Sequence, residues 1–177
     1  MKIYTKNGDK GSTSLLGGYK VSKDNLRVAA IGDVDELNAH IGLLYSQLSF
    51  HKEILFNVLN NLFVIGAQLA AYDQDKFKIP KLNLEEVQIL EQHIDAMQEN
   101  LEPMTHFILP TGDLLTSYIH IARSVCRRAE RSLVALNATE NIHENILIYI
   151  NRMSDYLFVL ARMQMKLMKI QEVKWNL

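Results

Sequence analysis

Helical periodicity limits the folds that this chain can adopt. From Asp33 onwards, apolar residues recur every three or four positions in five successive segments. This spacing is typical of the buried face of an α-helix, and no stretch shows the convincing alternation expected of a β-strand. We therefore predict an all-α fold, a five-helix bundle over residues 33–173 that follows an irregular N-terminal segment, all within one domain of 177 residues.

The helix boundaries follow from the same pattern. The five helices are predicted at about residues 33–44, 55–69, 83–97, 113–137 and 144–172. Asp33 is a suitable N-cap for the first helix, with Glu36 at the capping-box position. Pro103 and Pro110 bracket Phe107, so this connection is predicted to be an extended or looped link.

The composition is that of a globular protein with two local basic regions. The formal net charge of −1 argues against a general nucleic-acid or membrane-surface binder. However, residues 1–27 carry a net charge of +4, and Arg123–Arg131 carries +3. Two basic patches in a slightly acidic chain favour a small anionic ligand over a polyanion.

The single cysteine and the N-terminus indicate a cytoplasmic location. Cys126 excludes an internal disulfide and a four-cysteine zinc site, and its apolar neighbours predict a buried structural thiol. The first residues lack the apolar segment of a signal peptide. No apolar run approaches the ~20 residues of a membrane span, so no membrane association is expected.

The fourth helix carries a cationic face. Arg123, Arg127, Glu130 and Arg131 lie on one side of it, whereas Arg128 points elsewhere. Each guanidinium can bind a phosphate or carboxylate with two parallel hydrogen bonds. The alternative is that these arginines pair with acids on neighbouring helices and only hold the bundle together.

The N-terminal segment is suited to binding an anion. It contains Gly8, Gly11, Gly17 and Gly18 among Lys, Ser and Thr residues. Glycine permits the positive φ at which successive backbone N–H groups converge on an anion. The nucleotide-binding motif G-x-x-x-x-G-K-[ST] is absent, and a mobile polar arm is the competing interpretation.

Residue spacing disfavours a metal site and a catalytic nucleophile. A di-iron site needs two Glu-x-x-His motifs on facing helices, but only Glu140-x-x-His143 has this spacing and it lies in a connection. The remaining histidines are scattered, which disfavours zinc, and no nucleophile motif is present.

The fifth helix carries a polar stripe, which predicts either a network of contacts with the arginine helix or an Asn151 side chain that reaches a ligand. The stripe comprises Asn151, Asp155, Phe158 and Arg162.

Four blocks together resemble the PduO-type ATP:cob(I)alamin (corrinoid) adenosyltransferases. They are Ile3–Thr13 with Lys23-Asp24, Arg27-Val28 and Gly32–Asn38; Phe107–Pro110; His120–Arg131; and Asn151–Phe158. The blocks stand in the family's order and span nearly the whole chain. One departure is Thr111-Gly112 after Pro110, where the family usually has Gly-Gly.

The resemblance implies a ferritin-like bundle that assembles as a homotrimer, with ATP and cob(I)alamin as substrates at each subunit interface. ATP would contact Thr5, Lys6, Asn7, Gly8, Ser12, Thr13 and Lys23 of the N-terminal loop (residues 1–23), and Arg127, Arg128, Ala129, Glu130, Arg131 and Asn151 of the helices. Phe107 would border the corrinoid, and Asp35 and Arg123 would form an ion pair between subunits. With Arg127 on the phosphates, these residues form the expected catalytic set.

The implied reaction needs no protein nucleophile, because cob(I)alamin itself attacks the 5′ carbon of ATP and releases triphosphate. Mg²⁺ would enter bound to the triphosphate, without a protein metal site. A reductase would supply the electrons. The alternative from another class of protein is a non-catalytic helical oligomer that binds ATP as a sensor or scaffold.

Overall fold

The computed structural model describes residues 2–4, 6–72 and 76–175, and within these ranges it shows a short hairpin followed by five helices. The elements are β1 Ser12–Ser14, β2 Lys20–Ser22, α1 Leu26–Gln47, α2 Lys52–Ala70, α3 Leu84–Gln98, α4 Leu114–Asn137 and α5 Glu144–Leu167. The five helices confirm the predicted all-α class.

Helix α4 lies at the centre of the bundle. It packs against α1 on one side and α5 on the other, while α2 packs on α1 and α3 on α5. The apolar face of α4 contributes Ile119, Ala122 and Leu133 to the core, all fully buried. Because this face is buried, the arginine-bearing face of α4 is left on the surface of the chain.

Helix α1 begins seven residues earlier than predicted. Asn25 is the N-cap, and its side chain accepts a hydrogen bond from the backbone N–H of Arg27 at 2.8 Å. The prediction of Asp33 as N-cap was therefore wrong. Asp33 lies inside the helix and accepts a hydrogen bond from Arg128 Nε at 3.2 Å, and Glu36 also pairs with Arg128. An acidic side chain can cap a helix or bind a cation across it, and the sequence does not distinguish the two.

Helix α5 ends at Leu167, earlier than the predicted end near Glu172. Lys169 has a left-handed backbone with φ 57°, and Ile170 donates from its backbone N–H to the Met165 carbonyl at 2.9 Å. This bond satisfies a carbonyl in the last turn of the helix and reverses the chain. Residues 170–175, here called the C-terminal strap, then run alongside the link that contains Phe107.

The N-terminal segment contains two strands that were not predicted. β1 pairs with β2 in antiparallel register, with Thr13 opposite Val21. Gly17 and Gly18 supply the positive φ values of the turn. Each strand has only three residues, which is too short for the alternation of a β-strand to be recognised in the sequence. The Gly17-Gly18 pair was the available signal for a hairpin.

The prediction of a buried structural thiol is confirmed, whereas the expectation that no segment is long and apolar enough to span a membrane is not met by helix α2. Cys126 is fully buried and its Sγ lies 3.2 Å from the Ile150 carbonyl oxygen, which confirms the structural thiol. Helix α2, by contrast, is long and apolar enough to cross a membrane by length and composition. Core helices meet the same criterion, and the side chains of Leu55, Leu62 and Ile65 are buried against the rest of the bundle.

Candidate functional site

The hairpin encloses a cavity of about 430 Å³. Its lining residues are Asn7, Gly8, Ser12, Thr13, Ser14 and Lys20. Four of these were predicted from the sequence, while Ser14 and Lys20 were missed. The two missed residues face each other in the register of the hairpin, so only the strand pairing brings them to the site.

Backbone geometry and a lysine give this cavity its anion-binding character. Lys23 lies over Gly8, where an added Cβ would be 3.2 Å from the Lys23 Nζ atom. The Lys23 N–H donates to the Gly11 carbonyl at 2.9 Å, which closes the base of the loop. Lys6 is exposed with φ 62°. Thr5, also predicted to contact ATP, lies outside the described residues.

The cationic face of α4 has the predicted arrangement in part. Arg127 and Arg131 are exposed, and Ala129 is buried on the opposite side of the helix. Arg128 points away from Arg127 and pairs with Asp33 and Glu36 of α1. These two acids raise the pKa of Arg128, with the Glu36 bond as the larger cause. In this chain Arg128 therefore joins two helices.

A second cavity, also of about 430 Å³, lies beside α4. Arg123, Arg128, Arg131 and His120 are among its lining residues. The Arg123 Nε atom is buried and has no hydrogen-bond partner among the described residues. Burial and then the charge of Arg127 lower the pKa of Arg123. A buried guanidinium N–H without an acceptor is costly, so this position favours an incoming carboxylate or phosphate.

The polar stripe of α5 only partly matches its expectation. Asn151 donates from Nδ2 to Glu130 Oε1 at 2.8 Å, so these two predicted ATP-site residues are joined in the chain. Asp155, however, pairs with Arg152 of its own helix at 2.8 Å. Arg162 pairs with Glu172 at 2.6 Å. The predicted network with the arginine helix therefore holds for Asn151, but it is wrong for Asp155 and Arg162, whose partners lie outside that helix.

Phe107 is strongly exposed, with 74% of its surface accessible to solvent. Its carbonyl accepts a hydrogen bond from the Trp175 N–H at 2.8 Å, and the two rings meet edge to face with centroids 6.3 Å apart. Trp175 was missed because it follows a polar tail with no apolar period. The two aromatic side chains make a small apolar surface beside the bundle.

The turn after Pro110 explains part of the sequence departure. Gly112 has a φ of 146°, and an added Cβ would lie 2.7 Å from the Thr116 side chain. Glycine is therefore required at the second position of this turn. The departure is confined to Thr111, which is exposed.

The structure does not bring the two halves of the predicted site together within one chain. No described α4 residue lines the hairpin cavity, and no described hairpin residue lines the α4 cavity. Asp35 is exposed on α1 and makes no ion pair with the described residues, including Arg123. Across the described ranges, no group of three or more His, Cys, Asp or Glu side chains is placed to hold a metal ion.

Comparisons with known proteins identify the family of this chain. The family described as cobalamin adenosyltransferase matches residues 3–164. A corrinoid adenosyltransferase of Bacillus subtilis is 45% identical, covering 92% of this chain and 86% of the relative. The human corrinoid adenosyltransferase MMAB is 38% identical, covering 91% and 68%.

Solved structures show the same fold. A phenylalanine-to-alanine variant of a PduO-type ATP:corrinoid adenosyltransferase from Lactobacillus reuteri, complexed with cobalamin and ATP, has a TM-score of 0.94 at 37% identity. The match covers 99% of this chain and 100% of that one. An arginine-to-lysine variant complexed with ATP has a TM-score of 0.91. The fold and these relatives thus indicate a helical-bundle transferase. More particularly, the chain belongs to the cobalamin adenosyltransferase family, and the resemblance to PduO-type enzymes is confirmed.

Proposed function

We propose that this chain transfers the 5′-deoxyadenosyl group of ATP to the cobalt of cob(I)alamin, forming adenosylcobalamin and releasing triphosphate. The electron pair of Co(I) forms the Co–C bond, the bond from C5′ to the phosphate oxygen breaks, and triphosphate leaves with that oxygen. The observation that carries the proposal is the pair of basic cavities, at the hairpin and at α4, in a chain of this family.

The hairpin and α4 would bind opposite sides of ATP. The proposed contacts from the hairpin side are Thr5, Lys6, Asn7, Gly8, Ser12, Thr13 and Lys23. Arg127 and Arg131, which make no ion pair with the described residues, would bind the phosphates, whereas Arg128, Ala129, Glu130 and Asn151 would shape that side of the site. Because charge builds up on the leaving triphosphate, fixed cations there lower the barrier. Mg²⁺ would arrive bound to the triphosphate.

The two halves would meet across the interfaces of a homotrimer. Arg123 has a buried Nε without a partner among the described residues, and Asp35 is exposed without one. An Asp35 carboxylate from a neighbouring chain would satisfy the Arg123 guanidinium and place one subunit's hairpin over another subunit's α4. The separation of the two cavities within one chain supports this arrangement.

Phe107 would form the apolar wall beneath the corrin ring. An exposed aromatic ring backed by Trp175 can exclude water and the axial base from the lower face of the cobalt. A cobalt that loses this ligand is easier to reduce, and each ~59 mV of a one-electron potential changes the equilibrium tenfold. We assign residues 1–177 to one adenosyltransferase domain, which acts in the cytoplasm with electrons from a reductase.

An assay of product separates this proposal from an ATP-binding sensor or scaffold. Purified protein with ATP, Mg²⁺ and chemically reduced cob(I)alamin is expected to give a light-sensitive Co–C product and one triphosphate per turnover. Arg152→Ala is a suitable control, since Arg152 pairs with Glu91 and Asp155 away from both cavities. Saturable ATP binding without either product would instead support the sensor.

A further inference from the structure

A buried arginine at the end of the bundle holds the C-terminal strap. Arg162 of α5 is 6% exposed, and its Nε donates to Glu172 Oε1 at 2.6 Å. Its Nη2 donates to the Glu102 carbonyl at 2.8 Å. The guanidinium therefore joins three segments: α5, the connection after α3 and the strap.

The strap in turn holds the backbone around Phe107. The Leu109 N–H donates to the Val173 carbonyl at 2.8 Å, and the Trp175 N–H donates to the Phe107 carbonyl at 2.8 Å. Ile108 and Lys174 face each other in an antiparallel bridge between these bonds. The Trp175 ring then meets the Phe107 ring edge to face.

The placement of Phe107 thus depends on the strap. Phe107 lies in a link without regular structure, and most of its ring is exposed. Within the described part of the chain, the backbone hydrogen bonds on both sides of Ile108 lead to the strap or to the turn at Thr111. A segment with few buried contacts keeps one conformation only if an anchored neighbour supplies the contacts.

We propose that Arg162 and Glu172 are positioning residues that fix Phe107 through the C-terminal strap. The inference rests on the proposed role of Phe107 and adds the contacts that hold its ring in a fixed position. Charge-assisted hydrogen bonds to a largely buried guanidinium are stronger than neutral ones, so this pair is suited to anchoring a short irregular segment. Neither residue contacts a substrate in this proposal.

Trp175 provides a direct probe, because it is the only tryptophan in the chain. In Glu172→Gln, the docked strap is expected to loosen. The Trp175 emission should move to longer wavelength and acrylamide should quench it more strongly, while the far-ultraviolet circular dichroism stays unchanged. Glu91→Gln is the matched control, since Glu91 also binds an arginine of α5, Arg152, at 2.9 Å.

Activity should follow the same pattern. Glu172→Gln is expected to lower turnover of cob(II)alamin with a reductant by about tenfold, the effect of weakening one charge-assisted hydrogen bond. Turnover of pre-reduced cob(I)alamin should fall much less, and the KM for ATP should not change. Glu172→Asp, which keeps the carboxylate, should restore part of the emission and part of the cob(II)alamin activity.

Phe107→Ala, assayed in parallel, separates the proposed role of Phe107 from the proposed anchoring of the strap. If it loses both activities equally, the proposed role of Phe107 is wrong, and the Trp175 emission of Glu172→Gln still decides whether the strap is anchored as described. If Phe107→Ala is selective for cob(II)alamin but Glu172→Gln is not, the positioning role is overturned. Unchanged Trp175 emission in Glu172→Gln overturns it as well.

Discussion

Arg27 and Glu140 form an ion pair that ties the start of α1 to the segment after α4. Arg27 lies in the first turn of α1, with a side chain that is 8% exposed, and its Nε donates to Glu140 Oε2 at 2.9 Å. A second nitrogen, Nη1, donates to the Leu69 carbonyl at 2.7 Å. One guanidinium thus connects the first turn of α1, the end of α2 and the segment after α4. Because β2 ends at Ser22, shortly before α1, we expect this contact to help hold the glycine loop in place relative to the bundle.

Glu140→Ala should therefore affect both stability and nucleotide binding. Removing the carboxylate leaves the Arg27 charge largely buried, which is expected to cost up to about 3 kcal/mol in the free energy of unfolding. The KM for ATP should rise because the hairpin loses its anchor. Urea denaturation and initial-rate kinetics measure the two effects. Glu91→Ala, which breaks a more exposed pair with Arg152, should cost about 1 kcal/mol or less. Equal effects of the two substitutions would refute the anchoring role.

Arg127→Ala tests the cation that we propose binds the phosphates. Arg127 is exposed and makes no ion pair with the described residues, so its removal should leave the fold intact. The loss of a charge-assisted bond of roughly 1.5–3 kcal/mol corresponds to a decrease in kcat/KM of about 10- to 150-fold. The kcat/KM of Arg127→Lys should lie between those of the wild type and Arg127→Ala, because an ammonium cannot bind two oxygens in parallel. Wild-type kinetics in Arg127→Ala would remove this residue from the site.

The interface pairing can be tested by charge exchange. Asp35→Arg and Arg123→Asp should each weaken the proposed trimer and lower activity, since each would place like charges together at the interface. The double variant should recover part of both if the two side chains meet across the interface. Light scattering after gel filtration gives the mass of the assembly. Asp95→Arg, an exposed acid on α3, is the control for a change of net charge. A trimer that persists in both single variants argues against the pairing.

Stability should fall in mild acid because of a histidine pair. Burial lowers the pKa of His51 and His93 below the ordinary value of 6.5, and for His51 the charge of His93 adds to this effect. The unfolded chain therefore takes up protons first, and stability is lost as the pH falls from about 6.5 towards the lower folded pKa values. His51 also lies 3.2 Å from the Tyr156 hydroxyl, so charging it disturbs a buried contact.

His51→Asn should flatten this dependence. Asn tolerates the left-handed backbone found at residue 51, where φ is 57°, and it does not titrate in this range. Thermal unfolding between pH 7.5 and pH 5.5 gives the comparison. The stability of the variant should still depend on pH, although less strongly, because the pKa of the buried His120 is also lowered. An unchanged pH slope would mean that His51 contributes nothing to it.

The helices and the cationic face could be predicted because their signals are local. A helix repeats its pattern every three or four residues, so Asp113 at the start of α4 and the shared face of Arg127 and Arg131 are visible in a short window. The glycine-rich anion loop was also visible, although its strands were not. The family blocks added roles for these residues that spacing alone left open.

The contacts that place these residues were decided by the tertiary structure. Arg27 and Glu140 are 113 positions apart, and the strap reaches Phe107 from the far end of the chain. Asp33 and Asn25 are both acceptable helix caps, and only packing against Arg128 gives Asp33 another role. The sequence by itself determined which segments are helical and which faces are charged. The fold decided which distant partners meet, because the residues next to a side chain in the sequence do not identify the distant residue that will form its hydrogen bond or ion pair.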